Sequence, residues 1–90
     1  MKIEWDHTKA IKNLKKHKVP FDEAATALGD PMAVTGSDPD HSVCEDRYIT
    51  FGFSNNGRLL VVSHTEKEDT IRIISARKAN KGEQKLYEEG

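Results

Sequence analysis

The sequence has little with which to brace itself covalently or to reach a membrane. Its one cysteine, Cys44, has no partner within the chain, so no internal disulfide can form, and a lone thiol suits a reducing compartment. No apolar run approaches the roughly 18 residues a membrane-spanning helix needs, and the opening MKIEWDHTK has no apolar stretch of the kind a secretion signal uses. These absences predict a cytoplasmic protein without membrane contact. Glycine-rich phosphate loops, Walker motifs and dinucleotide fingerprints are also missing, which disfavours nucleotide-cofactor chemistry. Aromatic residues make up only 7%, too few to interleave with the basic residues as stacking platforms for bases.

What remains is a chain of 90 residues, 36% hydrophobic and 32% charged, enough for one modest core and one domain spanning residues 1–90. The formal charge of -1 conceals a strong segregation. Residues 1–20 hold six lysines against Glu4 and Asp6, residues 21–46 hold seven acids and no Lys or Arg, and residues 47–90 hold eight bases against six acids. Basic and acidic surfaces are therefore expected on one molecule.

Residues 2–5 alternate polar and apolar and meet Asp6, a good helix cap, so they read as a short strand feeding a helix over about 8–17. Ala10, Ile11 and Leu14 fall at spacings that form one buried stripe, with Lys9, Lys12, Asn13 and Lys16 on the other side. Pro20 breaks the pattern before a second helix from Phe21 to Leu28, which Gly29 ends. Met32 to Val34 form a weak strand, followed by the acidic, turn-rich TGSDPDHSVCED. RYITFGF, the turn SNNG and RLLVVSH form the strongest hairpin signal, and a second turn leads to TIRIISAR. The tail supports at most a short helix interrupted by Gly82. This order predicts an α+β, two-layer domain with two N-terminal helices packed on a mainly antiparallel sheet.

Polar residues inside the apolar β-segments mark candidate chemistry. His64 ends LLVVSH, and Arg72 and Arg77 punctuate TIRIISAR. An imidazole transfers protons near neutral pH, and guanidinium forks hold phosphate and neutralise charge developing on it. The same residues also fit a strand-end histidine and a solvated face, and residue pattern leaves both readings open. A three-residue loop at Lys67–Asp69 would set His64 opposite Arg72, whereas a one-residue slip would separate them. Arg77, five positions beyond Arg72, joins that face only if the strand ends or bulges first. Glu45 and Arg47 stand on one side if a strand begins there, as an exposed ion pair or as a second proton-transfer group beside an anion site. Lys9, Lys12 and Lys16 could guide a polyanion. His41 and Cys44 make only half of a zinc site, and His7, His17 and His64 are dispersed, so no metal or other cofactor is expected.

The segments EWDHTKAIKNLKKHKVPFDEA, DPDHSVCEDRYITFG and LLVVSHTEKEDTIRIISARKA resemble the BrnT family of bacterial toxins, from about residue 3 to residue 87. That resemblance implies a RelE-like fold, membership of a type II toxin-antitoxin system, and metal-independent endoribonuclease activity that shuts down translation. It implies a BrnA-like antitoxin with a ribbon-helix-helix domain, a heterotetrameric complex, RNA as substrate, and operator DNA reached only through the antitoxin. It carries functional positions onto His64, Arg72 and Arg77, with Glu45 and Arg47 in the middle motif and Lys16 and His17 ending the first. Two departures stand out: Lys18 where the family usually has Gly, and Pro20 where a Ser often caps the second helix. The rival reading is a non-catalytic RNA- or protein-binding module serving as partner subunit of a regulatory complex.

Overall fold

The computed structural model describes residues 2–38 and 47–89. The elements run β1 (Lys2–Trp5), α1 (His7–His17), α2 (Phe21–Leu28), β2 (Val34–Ser37), β3 (Arg47–Phe53), β4 (Leu59–Lys67), β5 (Thr70–Lys78) and α3 (Lys81–Glu89). The strands form one sheet in the order β1-β5-β4-β3-β2. Neighbours β2 to β5 pair antiparallel, while β1 pairs parallel with β5, so the sheet expected to be mainly antiparallel is mixed, with one parallel pair at its edge. The first strand docks beside the last because the intervening helices carry the chain across one face.

That helical face holds the main core, where Val19, Phe21, Ala24 and Ala27 meet Leu60, Val62, Ile73 and Ala76. Gly52 lets α2 lie directly on β3, since a Cβ at that position would collide with the carbonyl oxygen of Ala27. The buried Glu23 carboxylate joins α2 to the turn after β3: it accepts from Ser54 Oγ at 2.7 Å and from Arg58 Nε at 2.8 Å. The Arg58 fork holds the Glu23 carboxyl down to about 2, well below its ordinary value.

The buried stripe of α1 differs from the one its apolar residues predict. Ile11 and Leu14 are exposed, and Asn13 is buried among the core. β1 pairs only with Thr70–Ile73, so the main chain of β5 beyond Ile73 lacks a strand on that side. The Asn13 carboxamide takes its place, donating to Ala76 O at 2.8 Å and Val19 O at 2.9 Å and accepting from Ala76 N at 3.1 Å. Satisfying main-chain groups that no strand reaches outweighs burying two more aliphatic side chains.

A second correction concerns the layers. Leu59, Val61 and Ala79 form a smaller cluster with Ile49, Phe51 and Tyr87 on the other face of the sheet, beneath α3. The expected two-layer packing is thus extended by a third element. Gly82 does not interrupt α3, because it lies in the first turn of a reciprocal cap: Asn80 Oδ1 accepts from Glu83 N at 2.8 Å, and Glu83 Oε1 accepts from Asn80 N at 2.9 Å.

The two departures at the α1–α2 junction have structural correlates. Lys18 ends α1 in the left-handed region at φ 61°, a conformation that costs a side-chain-bearing residue energy and glycine almost none. Pro20 caps α2 without any side-chain hydrogen bond. In urea unfolding, Lys18→Gly is expected to gain up to about 1 kcal/mol. Asn13→Ala is expected to lose about 2 to 4 kcal/mol, because three buried main-chain groups are left unpaired.

Candidate functional site

The register of β4 with β5 decides which polar side chains meet. Ser63 pairs with Ser75 but His64 pairs with Ile73, so β5 carries one extra residue, Ile74, at a bulge. The bulge reverses side-chain alternation along β5. Arg72 lies opposite Thr65 and Arg77 opposite Val61, and these partners, four residues apart on β4, share one face. The condition for bringing the two arginines together is therefore met.

Arg47 lies on the other side of Thr65, so Arg47, Thr65 and Arg72 form one row across three strands. With strands about 4.8 Å apart, the two arginine backbones stand roughly 10 Å from each other. Lys67 faces Thr70 in the adjoining row, and Lys2 pairs with Thr70 from the other side. The Ser63–Ser75 pair adds hydroxyls, and Glu4, the partner of Arg72 on β1, supplies an acid within the row. This face lies opposite the main core, with α3 covering its far end. A basic, hydroxyl-bearing surface with exposed Arg72 suits a phosphate chain.

Arg77 shares the face but is committed to α3. Its Nη1 and Nη2 donate to the Glu83 carboxylate at 2.7 and 2.8 Å, a bidentate pair that raises the arginine and pulls the Glu83 carboxyl down to about 2. The fork that the sequence offers to phosphate is occupied by the helix's own capping residue.

His64 does not face Arg72. The turn between β4 and β5 has two residues, Glu68 and Asp69, both left-handed at φ 50° and 64°, rather than the expected three. The resulting slip places Arg72 opposite Thr65, while His64, in step with Leu60 and Val62 along β4, points to the helical face, where it is 1% exposed. Its Nε2 lies 2.7 Å from Thr50 Oγ1, which lies 2.7 Å from Thr35 Oγ1, giving a polar chain across three strands. Tyr48 stacks near it, at a centroid distance of 6.0 Å. Its Nδ1 is buried without a hydrogen bond, 3.8 Å from the Glu66 carboxylate. Burial pushes the imidazole below its ordinary value, and Glu66 opposes that only partly.

Lys9, Lys12 and Lys16 are exposed on α1, in the helix layer on the opposite side of the sheet from the arginine row. They form a basic stripe of their own and do not join that row. Glu45, His41 and Cys44 lie outside the described residues. Among the described residues, no three His, Cys, Asp or Glu side chains gather as metal ligands, and no helix is long and apolar enough to cross a membrane.

A family model described as "Ribonuclease toxin, BrnT, of type II toxin-antitoxin system" matches residues 5–83. The chain belongs to the BrnT family. Its fold is similar to that of the Brucella abortus ribonuclease toxin BrnT seen by crystallography, with a TM-score of 0.71 at 25% identity, over 90% of this chain and 99% of that one. No curated protein sequence matches it.

Two features of this BrnT-family chain escaped the sequence reading. The Thr35–Thr50–His64 chain joins residues from three strands and has no local signature. The Arg77–Glu83 fork had one in the Asn80-x-x-Glu83 spacing, which marks a helix start and so places Glu83 near the end of β5.

Because folded His64 resists the proton that the unfolded chain accepts near pH 6.5, its neutral burial stabilises the protein above that pH, and the contribution is lost as pH falls below it. Urea unfolding between pH 7.5 and 5.5 (about one unit either side of the ordinary histidine value) is expected to show declining stability. His64→Gln is expected to flatten that limb.

Proposed function

We propose that this chain is the toxin of a type II pair and acts as a metal-independent endoribonuclease of the RelE-like class, cutting RNA on the arginine face and so stopping translation. The observation that carries this reading is the strand register, which sets Arg47, Thr65 and Arg72 in a row on a face whose near end lies clear of α3. Membership of a ribonuclease-toxin family supports the same conclusion.

In this mechanism the RNA backbone lies along the row. The 2'-hydroxyl of one nucleotide attacks the adjacent phosphorus, forming a bond from O2' to phosphorus as the bond to O5' breaks; the hydroxyl proton passes to solvent water and O5' takes one from it, which leaves a cyclic phosphate and a free 5'-hydroxyl. Arg72 spreads positive charge over the non-bridging oxygens as they gain negative charge, while Arg47 and Lys67 hold the flanking phosphates. Catalysis then rests on positioning and electrostatics more than on one indispensable base. His64, buried on the opposite side, is a positioning residue that fixes β3 against β4. Arg77 orients α3, and enters the phosphate site only when Glu83 releases it. A ribbon-helix-helix antitoxin resembling BrnA, in a heterotetramer, neutralises the toxin and carries the complex to operator DNA.

The rival reading, a binding subunit without catalysis, draws on one specific observation: His64 is sequestered from the arginine face. The two readings part on covalent change in RNA. Purified Arg72→Ala is expected to cleave RNA on the order of 100-fold more slowly than the parent chain, with an unchanged melting temperature. Cleavage within twofold of the parent by both Arg72→Ala and Arg47→Ala would sink the assignment.

A further inference from the structure

Away from the arginine row, at the far end of the same face, α3 and the edge strand β2 enclose an apolar groove of about 630 Å³. Met32, Val34, Phe51, Phe53, Leu86 and Tyr87 line it. Met32 is 74% exposed, Leu86 73% and Val34 60%, so large apolar side chains lie open to water in one contiguous place. The groove is already built. Tyr87 packs edge-on against Phe53 at 5.5 Å and its hydroxyl lies 3.0 Å from Met32 O, while the Arg77–Glu83 fork fixes the start of α3.

Its rim is acidic. Asp30 and Glu88 border the apolar floor beside Glu83, whose carboxylate is already held by Arg77, and among the described residues no lysine or arginine lines it. Phosphate is therefore repelled here, and a second copy of the chain would bring like-charged rims together. Beside the groove, β2 forms the edge of the sheet among the described residues, and its sequence Val-Thr-Gly-Ser carries none of the charges or prolines that commonly protect such an edge.

We infer that this groove and the β2 edge receive the antitoxin, as an extended segment that adds a strand to β2, sets apolar side chains into the groove and places lysines or arginines against the acidic rim. The inference rests on the toxin reading for the existence of such a partner. Strand addition explains why the unprotected edge and the groove adjoin: main-chain hydrogen bonds supply affinity, and alternate side chains supply selectivity.

The test uses the full chain with the antitoxin encoded beside it. The parent, Val34→Asp, Leu86→Asp and, on the exposed part of α1, Ile11→Asp are each expressed with and without that antitoxin, and binding is measured with purified proteins. Val34→Asp and Leu86→Asp are expected to degrade RNA like the parent, to bind the antitoxin at least tenfold more weakly, and to escape neutralisation. Ile11→Asp is expected to bind within twofold of the parent. Hydrogen exchange of the parent complex is expected to show new protection at Val34–Ser37, a readout that no folding defect in a variant can disturb. Unchanged exchange at β2, tight binding by both groove variants, or a parent dimer that Val34→Asp splits would overturn the inference. Intact RNA with the parent alone would instead remove the toxin reading, and the binding and exchange results would still decide the groove.

Discussion

One extra residue in β5 organises both faces of the sheet. With Ile74 inserted between the partners of Ser63 and His64, Ile73 and Ala76 enter the same core although they are three positions apart, which unbroken alternation forbids. The same inversion turns Arg72 and Arg77 to the other face. The core and the shared face of Arg72 and Arg77 thus depend on one irregularity. Asn13 bonds both main-chain groups of Ala76 just beyond the bulge, so α1 is attached where the edge of β5 is otherwise open.

The charges are segregated by pairing as well as by position. Acids at two important positions are engaged: Glu23 with Arg58 beneath α2, and Glu83 with Arg77 at the start of α3. Both carboxyls are held well below their ordinary range, so they remain ionised and retain their guanidinium partners throughout the neutral region. What is presented outward differs from place to place: Arg72 and Lys67 on the sheet, a lysine stripe on α1, and carboxylates around the apolar groove. A chain with almost no net charge can therefore offer a polyanion one surface and a basic peptide another.

Much of the architecture was legible because local chemistry and final structure agree. RYITFGF, SNNG and RLLVVSH form a hairpin in which Gly57 adopts φ 74°, and Asp6 caps α1 by accepting from Lys9 N at 3.1 Å. The errors share another cause. Ile11 and Leu14 have the hydropathy of a buried stripe, yet Asn13 is drawn inside by main-chain groups more than sixty residues away, which no window of sequence contains. His64 and Arg72 are misaligned by a single turn residue, since Glu68 and Asp69 both accept the left-handed conformation and shorten the loop. Where pairing alternates every second residue, one residue of error changes the face.

The sequence by itself determined the element types, the principal hairpin, the polar residues worth suspecting and the family, because capping, turn chemistry, β-branched density and motif spacing are local properties. Tertiary structure alone decided how those residues group. It put His64 in a buried chain with Thr50 and Thr35, set Arg47 and Arg72 in one row, and gave Arg77 to Glu83. These outcomes hang on strand register, a bulge and a helix docked on the second face, each settled by the free energy of satisfying distant main-chain and side-chain groups together.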